Sequence, residues 1–125
     1  MKVNLKKAEV ANIPFPNNFF DTLICIAVLH IIKGGKIEKP LKEIKRVLKP
    51  GAPALIGVWY KKETGERLKP WFKEYNGKKI MRYYYFFDEN EIKNKIKKSG
   101  LIITKSYITG YKKRKNIFIE VQKPL

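Results

Sequence analysis

Three ionisable residues in this sequence could act at a binding or catalytic site. His30, the only histidine, follows the apolar run Leu23–Val28, and its ring could accept a proton or hydrogen-bond a carboxylate. Arg82 opens an aromatic run and could hold a carboxylate or a phosphate through its planar fork of N–H donors. Glu9 offers a carboxylate shortly before the segment 12–15. His30 and Arg82 favour a site for an anionic group, whereas the Glu9 carboxylate would accept hydrogen bonds from a neutral or cationic one.

Ordinary structural interpretations of the same residues stay open. His30 could be a surface residue capping a strand end, and Arg82 an exposed charge ahead of an aromatic strand. No metal site is predicted, because one histidine and one cysteine lack ligand spacing. That cysteine, Cys25, lies in an apolar run, so we expect a buried, reduced thiol, which suits a cytoplasmic protein.

The charge balance indicates a polyanionic partner. The chain has 28 Lys and Arg against 11 Asp and Glu, a formal net charge of +17. Such an excess attracts RNA, DNA or an acidic membrane surface, although lysine-rich composition also arises from genome bias or a hot environment. The longest apolar run, 23–29, is too short to span a bilayer, so no membrane segment is predicted.

The first half of the chain predicts a strand, a helix and a second strand. Leu23–Val28 is continuously apolar, which is typical of a parallel strand covered by helices on both faces. A second apolar strand is predicted at Ala54–Tyr60. Between them, apolar residues recur at helical spacing until Pro50 stops the helix: Ile37, Leu41, Ile44 and Leu48.

The second half predicts an insertion, a helix and two strands, within one domain of residues 1–125. Residues 61–82 are polar with interspersed aromatic residues (Trp71, Phe72 and Tyr75), and we interpret them as an insertion or lid, partly helical. Asp88 and Glu91 form an acidic capping pattern for a helix over 88–99. Strands are predicted at 101–108 and 116–122, separated by a basic turn at 109–115.

Two segments in this order, "AEVANIPFPNNFFDTLICIAVLHII" and "LKEIKRVLKPGAPALIGVW", resemble the second half of a class I S-adenosylmethionine-dependent methyltransferase. The resemblance implies an α/β, partial Rossmann-like fold, with strands 4-5-7-6 of the family sheet and flanking helices. It implies S-adenosylmethionine as cofactor, bound by Glu9 and Val10 near the adenine and by Ile26 and Ala27 at the strand end. It places His30 near the substrate.

Within this superfamily, "ICIAVLH", "LIGVW" and "RYYYFF" most resemble the tRNA methyltransferases that esterify carboxymethyl groups on wobble uridine. The resemblance implies a tRNA substrate, with His30 and Arg82 near the methyl acceptor. Those relatives tend to carry a second histidine after the strand and in the "RYYH"-like motif, and here Ile31 and Tyr85 stand in those places. A small zinc-binding activator protein is a further partner that the resemblance implies.

The sequence lacks a glycine-rich turn after a first strand, which in this family cradles the cofactor. We therefore expect the chain to form one wall of the cofactor cleft. We also expect the predicted strand Leu23–Val28 to have one edge without a neighbouring strand. Three explanations stay open: a separate N-terminal partner chain, self-association along that edge, or a truncated sequence. A non-catalytic RNA-binding or scaffold subunit and half of a small-molecule methyltransferase are the alternative functions.

Overall fold

The computed structural model describes residues 2–70 and 76–125, so the predicted aromatic positions Trp71, Phe72 and Tyr75 lie outside the described residues. Two 3₁₀ turns, Leu29–Ile31 and Lys33–Gly35, connect the first strand to the first helix. The strands and helices are β1 (Leu23–Ile26), α1 (Glu38–Val47), β2 (Pro53–Tyr60), β3 (Gly65–Pro70), β4 (Met81–Phe86), α2 (Glu89–Lys98), β5 (Ile102–Tyr111) and β6 (Arg114–Gln122).

The main sheet has four strands in the order β1-β2-β6-β5. β1 pairs with β2 in parallel, with Cys25 opposite Ile56, whereas β6 is antiparallel to both of its neighbours. This order confirms the predicted 4-5-7-6 block. Among the described residues β1 is an edge strand, with β2 as its neighbour in the sheet.

β3 and β4 form a separate two-stranded antiparallel sheet, in which Arg67 lies opposite Tyr84. The sequence predicted an insertion or lid that is partly helical over 61–82. Residues 65–70 instead form a strand, because they pair along their whole length with the aromatic strand β4. The helical part of that interpretation is wrong for these residues.

Both predicted helices are confirmed. Pro40 lies in the first turn of α1, where its missing N–H costs little. Asp88 caps α2 by accepting a hydrogen bond from the backbone N–H of Asn90 at 2.7 Å. Glu91, predicted to complete the capping pattern, accepts a hydrogen bond from the Tyr85 hydroxyl at 2.6 Å.

The hydrophobic core lies on one face of the main sheet. Cys25 of β1 and Ile56 of β2 point to this face, where they pack with Ile44 of α1 and Ile92 of α2. The prediction that helices cover both faces of β1 is wrong for the described residues, because both helices contribute to this single core. The opposite face, called here the open face, carries Ile24, Ile26, Leu55, Tyr107 and Phe118.

The open face is apolar at β1 and at the centre of the sheet, and it also carries the paired residues Lys105 and Glu120 of β5 and β6. Ile24 is 68% exposed and Ile26 is 44% exposed. A Cβ added to Gly57 would lie 2.9 Å from the Phe118 ring and 3.4 Å from Ile26, so both side chains close over this glycine. The rings of Phe118 and Tyr107 are 5.7 Å apart.

The hairpin of β5 and β6 is longer than predicted. The strands continue to Tyr111 and Arg114, which pair, so Lys112–Lys113 alone forms the turn that was predicted over 109–115. Lys112 has a φ of 54°, which is unfavourable for a lysine. Gly110 lies in β5, where a Cβ would overlap the carbonyl oxygen of Arg114. In residues 2–70 and 76–125 no helix has the length and apolar character needed to cross a membrane.

Candidate active site and basic cleft

β1 ends in a strained residue. The strand stops at Ile26, two residues earlier than predicted, because Ala27 adopts a left-handed φ of 61°. The Ala27 N–H still donates to the carbonyl oxygen of Gly57 at 2.9 Å. Strained backbone of this kind costs free energy and is concentrated at functional sites. Ile26 and Ala27, the predicted cofactor residues, are both exposed here.

His30 lies in the first 3₁₀ turn and is only 1% exposed. Its ring stacks on Trp59 at 4.7 Å and on Tyr84 at 6.0 Å, and its Nδ1 accepts a long hydrogen bond of 3.5 Å from the Trp59 backbone N–H. Burial, and secondarily the positive charge of Arg82, lower the pKa of His30 to about 4. The interpretation as a surface histidine is therefore wrong, and the ring is neutral at physiological pH.

Arg82, on β4, is half-buried and lies close to His30. Its guanidinium carbon is 5.8 Å from the centre of the Tyr84 ring, the same ring that stacks on His30. The structure thus brings together the two residues that the sequence singled out for the acceptor site. Their shared neighbour is Tyr84, which is buried.

The hairpin of β3 and β4 fixes the loop that carries His30. The Tyr83 hydroxyl accepts a hydrogen bond of 2.7 Å from the Gly34 N–H. Beside it, Gly35 lies directly against the Tyr85 ring, and an added Cβ would come within 2.7 Å of that ring. Because Gly35 also has a φ of 63°, glycine is needed at this position on two grounds.

The aromatic run of β4 is structural. Tyr84, Phe86 and Phe87 are buried, and Tyr83 and Tyr85 are half-buried, so no ring of the run is exposed. The run packs the hairpin onto the main body of the fold.

Glu9 and Val10, predicted to bind the cofactor, precede a segment that is pinned to α1. Glu9 is exposed, and its carbonyl accepts a hydrogen bond of 2.9 Å from the Asn12 N–H, while Val10 is half-buried against the core. From α1, the Arg46 guanidinium donates to the carbonyl oxygens of Ile13 and Phe15, each at 2.8 Å.

Glu43 completes this anchor. Its carboxylate accepts the Ile13 N–H at 3.1 Å and pairs with Arg46 at 2.6 Å. The hydrogen bond from the Arg46 guanidinium lowers the pKa of Glu43. One ion pair on α1 therefore holds the backbone that follows the predicted adenine-binding residues.

A second feature adjoins the basic turn that the sequence predicted. Two adjoining cavities of about 510 and 430 Å³ lie between the end of β2, the strand β3 and the β5–β6 turn. We call them together the basic cleft. Its cationic residues are Lys61, Lys62, Arg67, Lys69, Lys112, Lys113, Arg114 and Lys115. Trp59, 39% exposed, lines the smaller cavity.

Trp59 and Lys61 are the residues that sequence reasoning missed here. The alternation of β2 was the available signal, since Val58 points to the core and Trp59 to the opposite side. Neither cavity of the basic cleft is lined by Glu9, Val10, Ile26 or Ala27. Within the described ranges no cluster of three or more His, Cys, Asp and Glu residues is placed to hold a metal ion.

Comparisons with known proteins relate this architecture to methyltransferases. A family model described as "Methyltransferase domain" matches residues 1–56, which include Glu9, β1 and His30. A tRNA (carboxymethyluridine(34)-5-O)-methyltransferase from Arabidopsis thaliana is 42% identical over 53 residues. That stretch is 42% of this chain and only 13% of the Arabidopsis protein.

Solved structures extend the likeness over nearly all of the chain. An S-adenosylmethionine-dependent methyltransferase from Methanosarcina mazei is 19% identical with a TM-score of 0.82, over 96% of this chain and 66% of that one. A didemethyltoxoflavin N-methyltransferase from Burkholderia thailandensis, solved with S-adenosylhomocysteine, is 16% identical with a TM-score of 0.71, over 94% and 49%. Residues 1–56 thus match the methyltransferase domain family, and the described residues have part of the Rossmann-like fold of S-adenosylmethionine-dependent methyltransferases, since the chain spans about half to two thirds of these solved structures.

Proposed function

We propose that this chain is the part of an S-adenosylmethionine-dependent methyltransferase that forms one wall of the cofactor site and carries the acceptor site. The main support for this proposal is the match of residues 1–56 to the methyltransferase domain model. The sheet order β1-β2-β6-β5 supports it as well. The proposed substrate is tRNA, supported by the likeness to the Arabidopsis enzyme over 53 residues and by the net charge of +17.

The predicted cofactor residues offer chemical groups suited to one side of the cofactor. Glu9 presents an exposed carboxylate for the polar groups of the nucleoside, and Ile26 gives an exposed apolar surface for the adenine. Ala27 brings its backbone to the same edge in a strained conformation. The cofactor would supply a methyl group on a sulfonium sulfur. The glycine pair that follows β1, Gly34 and Gly35, is held against Tyr83 and Tyr85, so the predicted residues would form one wall of the site and not the pocket for the methionine end of the cofactor.

Methyl transfer to a carboxylate acceptor would require little proton transfer by the protein. A carboxylate acceptor is already anionic, so one of its oxygens forms the new C–O bond as the S–C bond breaks, and S-adenosylhomocysteine leaves. Arg82 would hold such a carboxylate by charge and hydrogen bonds. His30, buried and neutral, would act as a positioning residue that fixes Trp59 and Tyr84 beside Arg82.

Completion of the site would require polypeptide along β1 and over the open face. An edge strand with exposed backbone and apolar side chains is a ready template for pairing. A protein that supplies an N-terminal methyltransferase half is the proposed partner, and self-association through β1 is the alternative. A small zinc-binding activator stays a proposal from the resemblance alone.

A second candidate function is a non-catalytic RNA-binding or scaffold subunit. The observation that favours it is the 1% exposure of His30, which keeps the ring from direct contact with a substrate. Under this alternative the fold and the positive charge remain, and methyl transfer is lost.

The two candidates differ in their dependence on Glu9. The protein would be purified from its native cells with bound partners, and S-adenosylmethionine binding measured by calorimetry for Glu9→Ala and the exposed control Glu63→Ala. Loss of binding in Glu9→Ala alone supports the methyltransferase, whereas equal binding in both variants supports the scaffold. Normal affinity of the isolated chain would contradict the need for a partner.

A further inference from the structure

We propose that the basic cleft is a binding site for the phosphodiester backbone of single-stranded RNA, with Trp59 as a stacking surface for one base. The choice of RNA over other nucleic acids rests on the proposed function. The existence of a polyanion site rests on the cleft alone.

The cleft gathers positive charge from three separate segments. The larger cavity is lined by seven Lys and Arg side chains and by one carboxylate, Glu63. Glu63 lies 3.7 Å from Arg67, so a single cation is partly neutralised by it. Like charges held this close repel one another, and a bound polyanion relieves that repulsion while releasing its own counterions.

Contacts and backbone conformation at the β5–β6 turn define the shape of the cleft. The Lys61 ammonium donates a hydrogen bond of 3.0 Å to the carbonyl oxygen of Lys113, which ties the β5–β6 turn to the end of β2. Lys112, at the first turn position, keeps a φ of 54° although glycine would be easier there. The strained conformation places a charged residue at the tip of the turn beside the cleft.

Shape and composition favour a nucleic acid strand over a membrane surface. The cleft is concave, and about 510 Å³ is far more than one phosphate group fills. The smaller cavity shares Lys61, Lys113 and Lys115 with the larger one, so the cationic lining continues to Trp59. An exposed indole in a basic groove provides the stacking that single-stranded nucleic acids use.

The cleft leads to the candidate acceptor site. Trp59 lies between the two, because its ring lines the smaller cavity and stacks 4.7 Å from His30. A strand that follows the lysines and stacks on Trp59 therefore carries its next nucleotide towards Arg82. This path gives the cleft a positioning role for an RNA acceptor.

The test uses two variants of equal charge. One replaces Lys112, Lys113 and Lys115 by Gln, and the matched control replaces the exposed helical residues Lys42, Lys97 and Lys98 by Gln. Binding of a fluorescein-labelled RNA stem-loop of anticodon-arm size is followed by anisotropy at several salt concentrations. The proposal expects at least about tenfold weaker binding at physiological salt in the cleft variant, and a salt slope smaller by about 2. The control should stay near the unsubstituted protein.

Equal losses in both variants would overturn the proposal, because they would mean diffuse attraction by net charge. Unchanged binding in the cleft variant would overturn it as well. Preferential binding to phosphatidylserine vesicles, lost in the cleft variant, would reassign the cleft to a membrane surface. Preference for duplex DNA over the RNA would keep the polyanion site and remove the RNA assignment. The assay contains no S-adenosylmethionine, so failure of the proposed methyl transfer leaves its outcome unaffected.

Discussion

The Trp59 backbone N–H points at the Nδ1 of His30 across 3.5 Å, while the two rings stack with their centres 4.7 Å apart. The contact joins β2 to the 3₁₀ turn after β1, the two segments that border the candidate acceptor site. It depends on a neutral imidazole, because a protonated Nδ1 would present a hydrogen to the donating N–H.

Acidification should destabilise the protein through His30. The unfolded chain protonates this residue near pH 6.5, whereas the folded chain does so near pH 4. Between these values the unfolded state binds more protons, so stability is complete above about pH 6.5 and is lost as the pH falls towards 4. We expect a loss of about 2 kcal/mol between about pH 7 and pH 5, measured by urea unfolding.

The variant His30→Asn provides the control for this pH dependence. Its Oδ1 can accept the Trp59 N–H in place of Nδ1, and the side chain doesn't titrate. The variant should be less stable at neutral pH, but its stability should change much less between pH 7 and pH 5. An undiminished pH dependence would assign the effect to other groups.

Gly35→Ala should destabilise the fold more than Gly77→Ala. Both glycines have a positive φ, 63° and 73°, so both substitutions pay about 1 kcal/mol for the left-handed backbone. Only Gly35 lies against the Tyr85 ring, whereas a Cβ at Gly77 meets nothing within 4 Å. We expect an extra loss of about 1–3 kcal/mol at Gly35 from overpacking. Equal losses of unfolding free energy in the two variants, measured by chemical denaturation, would show that the β3–β4 hairpin shifts to accommodate the added methyl group.

Ala27→Gly should stabilise the chain or leave it unchanged. Glycine removes the strain at a φ of 61°, worth about 1 kcal/mol, against a similar entropic cost in the unfolded chain. In Ala54→Gly, at a buried strand position, that entropic cost is uncompensated and stability should fall. Thermal unfolding of both variants compares them directly. A clear loss in Ala27→Gly would contradict strain at the end of β1.

Arg46→Lys should loosen the segment after Glu9 and Val10. Lysine keeps the charge but lacks the planar fork that reaches the Ile13 and Phe15 carbonyls together. Amide hydrogen exchange at Ile13 should therefore accelerate. Arg67→Lys, in β3, is the matched control and should leave that amide unchanged. Slow exchange at Ile13 in Arg46→Lys would mean that Glu43 suffices to hold the segment.

Ile24→Lys should spare the fold and weaken association through the open face. Ile24 is 68% exposed, so a change in stability within about 0.5 kcal/mol is expected. Leu68, on β3, is 64% exposed and outside the open face, which makes Leu68→Lys the matched control. Sedimentation should show weaker self-association, or weaker capture of the native partner, in Ile24→Lys alone. Equal effects of the two variants would remove the open face as the contact surface.

Much of the fold followed from local pattern. Periodicity and end signals predicted both helices to within a residue or two, since Pro50 and Gly100 stop them and Asp88 caps α2. The strand order 4-5-7-6 followed from the resemblance, and is confirmed. The hairpin partner of β4 couldn't be predicted, because residues 65–70 carry charged side chains and become a strand only by pairing with an aromatic neighbour.

The site was predictable in its residue types and not in its geometry. The sequence singled out His30 and Arg82, and their proximity is found, but burial of the imidazole depends on long-range stacking with Trp59 and Tyr84. The left-handed turn at Ala27 had no signal either, since alanine rarely takes that conformation. The basic cleft arises from residues about 50 positions apart, such as Lys61 and Lys113, which only the folded chain joins.

Cys25 has a practical consequence for mapping a partner chain. It is the only cysteine, it is buried in β1, and burial raises the pKa of its thiol to about 11. At neutral pH this thiol is almost fully protonated and poorly nucleophilic, so it should react very slowly with maleimide reagents. A cysteine introduced at Ile24 or Lys112 would then be labelled selectively, and a photoreactive tag there would report what lies within its reach.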